Sequence, residues 1–428
     1  MSGSGSVFIR LVLLVTWFAL HVATASAQSL TDGGGRTRID VELAAEDMRR
    51  YPSISTALGQ LGNRGADVAL DKVFGVPEGT GARAVAHRIL RTYLVSLPIA
   101  ALSATAAHEL GHVSRGHEGG LSISGFRIDQ WPWPVPVMSA RLYVDTSGPA
   151  PPQLNELSAV AGGAEGARVQ ALDLLETIYS GRSTNYFNWL LLADAKLEMP
   201  FYTWTDKSPP EVLGDPGQFA QEFGFTRAVM RYRPGAPVVN FADPERAAAW
   251  QTLRHGMWLN LVDYALVAAV VQTVEYVRTG NRDTSVPALR RGSLGFVPAL
   301  HFLMTSDGFE RGVDVHVISD RTLTRVDVRW TDAPTGERLW GGGVGLHARG
   351  PRWQPQFRAD IFERTASLSE RPQEHNVGVR IEAGARLPLH ARRPFDVGFR
   401  IGYKTRGFLV DAPERRTLLG GVSFGMSF

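Results

Sequence analysis

The chain has 428 residues, 44% hydrophobic and 20% charged, enough apolar material for two or three folded domains. Its net charge of +3, with no Lys/Arg run interleaved with aromatics, excludes a nucleic-acid surface. The lack of cysteine excludes disulfides, thiolate metal ligands and a cysteine nucleophile, so any metal must be held by His, Asp or Glu.

Residues 1–27 read as a secretory signal: Arg10, an apolar stretch from Leu11 to Ala23, and Ala25-Ser26-Ala27 ahead of Gln28. Residues 28–84 form a Gly-rich linker and a small helical preface, with the weak periodicity of Val41 to Phe74 broken at Pro52 and Gly59. From Val85 to Val113 the helical period is strong, with a kink expected at Pro98 and an end at Gly116, Gly119 and Gly120. A strand pair follows, Leu121 to Ile128 and Val135 to Val144, joined by Trp131-Pro132-Trp133-Pro134. Further helices are expected over Leu154 to Tyr179, Asn185 to Leu197 and Glu245 to Arg278. In the last, Asn260, Asp263, Gln272 and Glu275 interrupt the apolar run and favour a buried bundle helix over a lipid-spanning one.

The motif His108-Glu109-Leu110-Gly111-His112 ends the first strong helix. Histidines four apart share one helical face, so both can present a ring nitrogen to one metal ion. Glu109 lies about 100° further round and flanks that ion. This is the arrangement of a Zn²⁺ hydrolase, with His108 and His112 as ligands and Glu109 as the base that takes a proton from the attacking water. Ala100, Ala101, Ala104, Ala107 and Gly111 are small, so a second backbone can approach and supply a third ligand. The expected third ligand is Glu165, mid-helix with Ala161 and Gly162 on its own face, because a carboxylate buried among small apolar residues needs a partner. His117 falls roughly half a turn from His108 and is not expected to bind.

The stretch from His108 to His117, HELGHVSRGH, followed by Glu165 on a later helix, resembles the HtpX-like gluzincin metallopeptidases over Val85 to Tyr179. That resemblance implies zinc on His108, His112 and Glu165 with Glu109 as base. The motif helix followed by an extended hairpin also looks like site-2 proteases, whose third ligand is an Asp from a later helix; Asp194 is then the candidate.

After Gly280 the period changes to two. Val313, Val315 and Val317 alternate with Asp314 and His316, and Val377, Val379 and Ile381 with Arg380 and Glu382. Similar alternation around Val326, Phe357 and Phe399, with Leu294 to Met304, Trp340 to Ala348 and Thr417 to Phe428, gives about eight strands. The even count, aromatic residues near strand ends, and the ending Val422, Phe424, Met426, Phe428 point to an outer-membrane β-barrel. Its inward Asp/Glu and Arg/Lys imply internal ion pairs without an open channel.

The expected fold class is therefore α+β and multidomain: a helical zincin-like domain over 85–284, then an antiparallel transmembrane barrel of about eight strands over 290–428. The expected function is a zinc endopeptidase of a Gram-negative envelope, anchored in outer-membrane lipid, with its helical domain in the periplasm and protein or peptide as substrate. The competing expectation is a non-enzymatic barrel whose helical domain binds a partner and whose metal site is structural or vestigial.

Overall fold

The computed structural model describes residues 38–44, 46–75, 79–132, 139–145, 153–180, 183–206, 211, 214–231, 239–349, 353–364, 376–389, 395–413 and 415–427. The leader-like segment 1–27 and Phe428 lie outside them. The chain divides into a helical part and a C-terminal antiparallel sheet. Strand β1 (Arg38–Ala44) precedes helices α1 (Asp47–Phe74), α2 (Ala82–Arg91) and α3 (Leu97–Glu118). A hairpin of β2 (Ser122–Gln130) and β3 (Ser139–Asp145) leads to α4 (Gln153–Ser180), β4 (Ser183–Asn185) and α5 (Tyr186–Thr205). Helices α6 (Asp215–Arg231), α7 (Val239–Gly256), α8 (Trp258–Leu261) and α9 (Tyr264–Thr279) follow, then β5 (Asp283–Ser285) and β6 (Leu289–Arg291).

The eight long strands are β7 (Leu294–Thr305), β8 (Gly308–Ile318), β9 (Thr322–Asp332), β10 (Arg338–Ala348), β11 (Gln354–Arg364), β12 (Asn376–Pro388), β13 (Phe395–Lys404) and β14 (Thr417–Ser427). They pair in chain order, with β6 added at one side and β1 at the other, making ten strands whose outer members are not paired with each other among the described residues. The closed barrel expected from the alternation is thus corrected to an open sheet. β1, which the helical reading of Val41 to Phe74 passed over, pairs with β14 from Arg38 against Ser427 to Ala44 against Gly421. Its seven residues are too few to show a period of their own, and only the contact with β14 defines them.

The sheet is polar on its concave face and apolar on its outer face. Asp314, Arg325, Asp327, Asp360 and Arg380 are buried, whereas Val326, Val328, Ile361, Val379, Ile381, Phe399 and Ile401 are exposed. The inward charges are paired, Arg325 with Asp314 at 3.0 Å and Arg380 with Asp411 at 2.7 Å, as low-dielectric surroundings require. A cavity of about 770 Å³ remains between α4 and the sheet, lined by Arg49, Glu176, Arg325, Arg358, Glu382 and Arg400 among others.

Helix α4 runs inside this sheet along the strand direction. Glu165 meets Ser306 at one end, Arg168 is paired with Asp314 midway, and Arg349 donates to the Ser180 carbonyl at the other end. The helical part and the sheet are thus packed together through α4, which touches β7 and β9. Helices α1, α3 and α5 pack with α4, and α9 packs on α5 and β7.

Pro98 produces no break. A π-helical turn, Thr92–Ser96, precedes it, and α2, this turn and α3 form one run from Ala82 to Glu118, long and apolar enough to cross a membrane. The wider turn absorbs the missing N–H of the proline. The single helix expected over Glu245 to Arg278 is instead α7, α8 and α9, bent by 53°. Asp263 restarts it, its carboxylate accepting from Ala265 N at 3.1 Å as a helix N-cap does.

Candidate metal centre

The motif lies at the end of α3 where that helix crosses α4 backbone to backbone. A Cβ on Gly111 would stand 2.1 Å from the Gly162 carbonyl oxygen, and one on Gly166 2.3 Å from that of Ala107. Only glycine permits such an approach. The close second backbone expected from the small residues of α3 is present.

What it brings to the histidines is Gly163. A Cβ there would stand 2.4 Å from Nε2 of both His108 and His112, so the absent side chain leaves a hollow against the two ring nitrogens. Glu165 is two residues on, about 200° round the helix. Fully buried, it accepts from Arg115 Nε, from Ser306 N at 2.8 Å and from Ser306 Oγ at 3.1 Å. The expected third ligand is thus turned away from the histidines and committed to other donors.

Asp215, the first residue of α6, takes that position. Its Oδ2 lies 2.8 Å from His108 Nε2 and 2.9 Å from His112 Nε2, and the two Nε2 atoms are 3.1 Å apart. Ligands about 2.0–2.1 Å from a tetrahedral ion stand about 3.3 Å from one another, close to this triangle. The His112 Nδ1 atom is 2.7 Å from the Ala159 carbonyl oxygen, a contact that requires Nδ1–H. Neutral His112 then carries its lone pair on Nε2, facing the carboxylate. Lone pairs so disposed repel unless a cation or a proton lies between them, and among the described residues these three form the group able to hold a metal ion.

Electrostatics favour the anion at Asp215. Burial acts to raise its carboxyl, but His112 and His108, when protonated, outweigh it and hold the group well below the usual carboxylate range. Behind His108, Glu198 Oε1 stands 3.5 Å from Nδ1, within ion-pair range but beyond a formed hydrogen bond. Glu198 and Tyr202 are four residues apart on α5 and share its face toward the motif. The Tyr202 hydroxyl accepts from Asp215 N at 3.2 Å, and its ring centroid is 6.0 Å from that of His108. Glu109 is buried, 8% exposed, beside the histidines. His117 is exposed and outside the group, and Asp194 is not among its ligands.

Of the three residues able to hold an ion, the sequence pointed to His108 and His112 and not to Asp215, nor to Glu198 and Tyr202 behind it. Asp215-Pro216 is a helix-start signal that would have placed α6. Nothing in the sequence ties that start to the motif, because the meeting depends on how α6 packs across α4.

The site has a definite place along the sheet. Arg115, one turn beyond His112, donates to the carbonyls of Leu409 and Ala412, both at 3.1 Å, in the connection between β13 and β14. Ser306 lies in the turn from β7 to β8. The motif therefore sits at the end carrying the connections 306–307, 333–337 and 405–416, opposite the end where β1 begins and β14 finishes.

Comparison of the chain with protein-family models, with curated proteins and with solved structures found no match.

Proposed function

We propose that this chain is a zinc-dependent endopeptidase of a bacterial outer membrane. The observation that carries the reading is the convergence of His108 Nε2, His112 Nε2 and Asp215 Oδ2 with the Glu109 carboxylate beside them. Two imidazoles and one carboxylate suit zinc, and no thiolate is available to favour a softer ion. A divalent ion held there supplies Lewis-acid chemistry, polarising a carbonyl and making a water acidic. Glu109 then accepts the proton of the attacking water and delivers it to the leaving amine. Glu198 stands behind His108, and the Tyr202 hydroxyl, beside Asp215, is the nearby donor available to a developing oxyanion.

A peptide substrate is favoured by the β2–β3 hairpin, which packs against α3 and carries exposed Phe126 and Tyr143. An extended peptide can add to such a strand edge. The outer membrane is favoured by the sheet's inverted polarity, since a sheet with charges inside and aliphatic side chains outside suits lipid and not water. In such barrels the long connections face the exterior, which would put the metal centre at the outer mouth and not in the periplasm.

The test is expression of the wild type and Glu109→Gln in a Gram-negative envelope. The amide keeps the side-chain size but cannot take the proton, so hydrolysis should fall on the order of 10²-fold or more with metal content unchanged. Cleaved envelope proteins seen only with the wild type support the peptidase. Identical protein profiles at equal metal content would replace it with the partner-binding reading.

A further inference from the structure

The open side of the sheet is where the outer-membrane reading meets its hardest requirement. Unpaired strand edges and bare backbone are not tolerated in hydrocarbon, so something must cover the gap between β1 and β6–β7. In this fold helices stand there. Helix α9 packs on β7, with Leu300 N donating to Asp263 at 3.1 Å, and Asn260 of α8 exchanges bonds with the Phe302 backbone at 2.8 and 2.9 Å. On the other flank α1 packs on β1.

These helices carry apolar residues on the outside. The most exposed side chains of α9 before its last turn are Val267, Val270, Val271 and Val274, at 52, 45, 54 and 59%, one stripe at helical spacing. The same holds from Ala86 to Leu102 in the run of α2 and α3: Ile89, Leu90, Tyr93, Leu94 and Leu102 are exposed, and no charged residue is. The charges of that run face inward. Arg88 donates to the carbonyls of Val277 and Arg278 at 2.8 and 3.0 Å, and Arg91 is bonded to Asp67 and Asp71. In the α2–α3 run polar groups are turned in and apolar ones out, the reverse of what water selects and a match to the inverted pattern of the strands. Helix α9 buries Ala265, Leu266, Ala268 and Ala269, turns its valines out and ends in the exposed pair Glu275–Arg278.

A strand of eleven residues, tilted, spans a hydrocarbon layer of about 30 Å, the 37-residue run of α2 and α3 is longer than that layer, and the sixteen residues of α9 extend about 24 Å, most of its depth. Aromatic rings mark one level on both parts of the wall. Trp330 and Trp340 pair on the sheet at 5.8 Å near the loop end, and Trp204 and Trp258 pair on the helices at 4.8 Å at that same end, as rings do at a membrane interface.

We propose that α2–α3 and α9 complete the wall of the open sheet and face lipid, so that the bundle carrying the metal centre is embedded in the bilayer. This rests on the outer-membrane reading, and the experiment separates the two. Because the chain has no cysteine, single substitutions give unique labels. Leu90→Cys, Val270→Cys and Val274→Cys report the helices, Val328→Cys, Ile381→Cys and Phe399→Cys the sheet, and Glu337→Cys a turn in water. Each full-length variant is nitroxide-labelled and reconstituted in phosphatidylcholine vesicles, and its collisions with oxygen and with a water-soluble nickel complex are compared. High oxygen and low nickel access at both helix and sheet sites is the expected result. Lipid access at the sheet with nickel access at the helices overturns the helical wall and leaves the outer-membrane reading intact. Nickel access at the sheet overturns both. Helix sites shielded from both probes while the sheet sites see lipid show a protein neighbour on that face and overturn the proposal.

Discussion

Arg115 and Glu165 are bonded to each other in the interior, guanidinium Nε to carboxylate, and both side chains are fully buried. Arg115 also donates to Glu118 at 2.8 Å and to two carbonyls of the β13–β14 connection. One guanidinium thus ties the motif helix to the central helix and to the sheet, and it occupies the carboxylate that its sequence position suggests for the metal.

It follows that metal content separates Asp215 from Glu165. Asp215→Ala, like His108→Ala or His112→Ala, should release the ion, because two remaining ligands hold zinc poorly. Glu165→Ala should keep it at near one ion per folded chain. Elemental analysis of the folded variants decides, and loss of metal from Glu165→Ala with retention in Asp215→Ala would restore the ligand set expected from the motif alone.

Stability should respond in the opposite order. Replacing Arg115 by Met leaves Glu165 buried without its cation, a loss of about 3–5 kcal/mol. Glu165→Gln should cost less, since the amide oxygen still accepts from Ser306 N. Denaturant unfolding in detergent measures both, and equal stability of Arg115→Met and wild type would contradict the network.

Gly163→Ala tests the hollow beside the histidines. Its Cβ would lie 2.4 Å from both Nε2 atoms, so the rings must turn away and metal affinity should fall at least about tenfold. Gly111→Ala meets backbone in place of flexible rings, and forcing α3 from α4 should cost at least about 3 kcal/mol. Titration with zinc, paired with unfolding, distinguishes a lost site from a loosened fold.

The contact between α5 and α9 offers a further check. Lys196 is paired with Asp263, which is wholly buried and caps α9. Lys196→Met should destabilise the protein by about 3–5 kcal/mol through the stranded carboxylate, with Lys196→Met/Asp263→Asn recovering part of it. No recovery in the double variant, measured by thermal unfolding, would show that the two do not act as a pair.

The residues that could be read from the sequence are those whose chemistry repeats along the chain. His108 and His112 share a face because they are four apart, Glu109 flanks them for the same reason, and the two-residue alternation located all eight long strands. The buried charges of the strands were legible too, since Asp314, Arg380 and Glu382 fall on the inward parity. The third member of the metal group and the closure of the sheet were not. Asp215 reaches the histidines because glycines let α3 and α4 touch and leave a hollow at Gly163 beside the α6 start, a crossing set by backbone contact and not by any period. Helices α9 and α1 pack on the strands that flank the opening, β7 and β1, and whether a valine stripe on α9 faces a core or the outside depends on which side of it β7 lies. Local spacing determines which side chains share a face; only packing in three dimensions decides what that face meets.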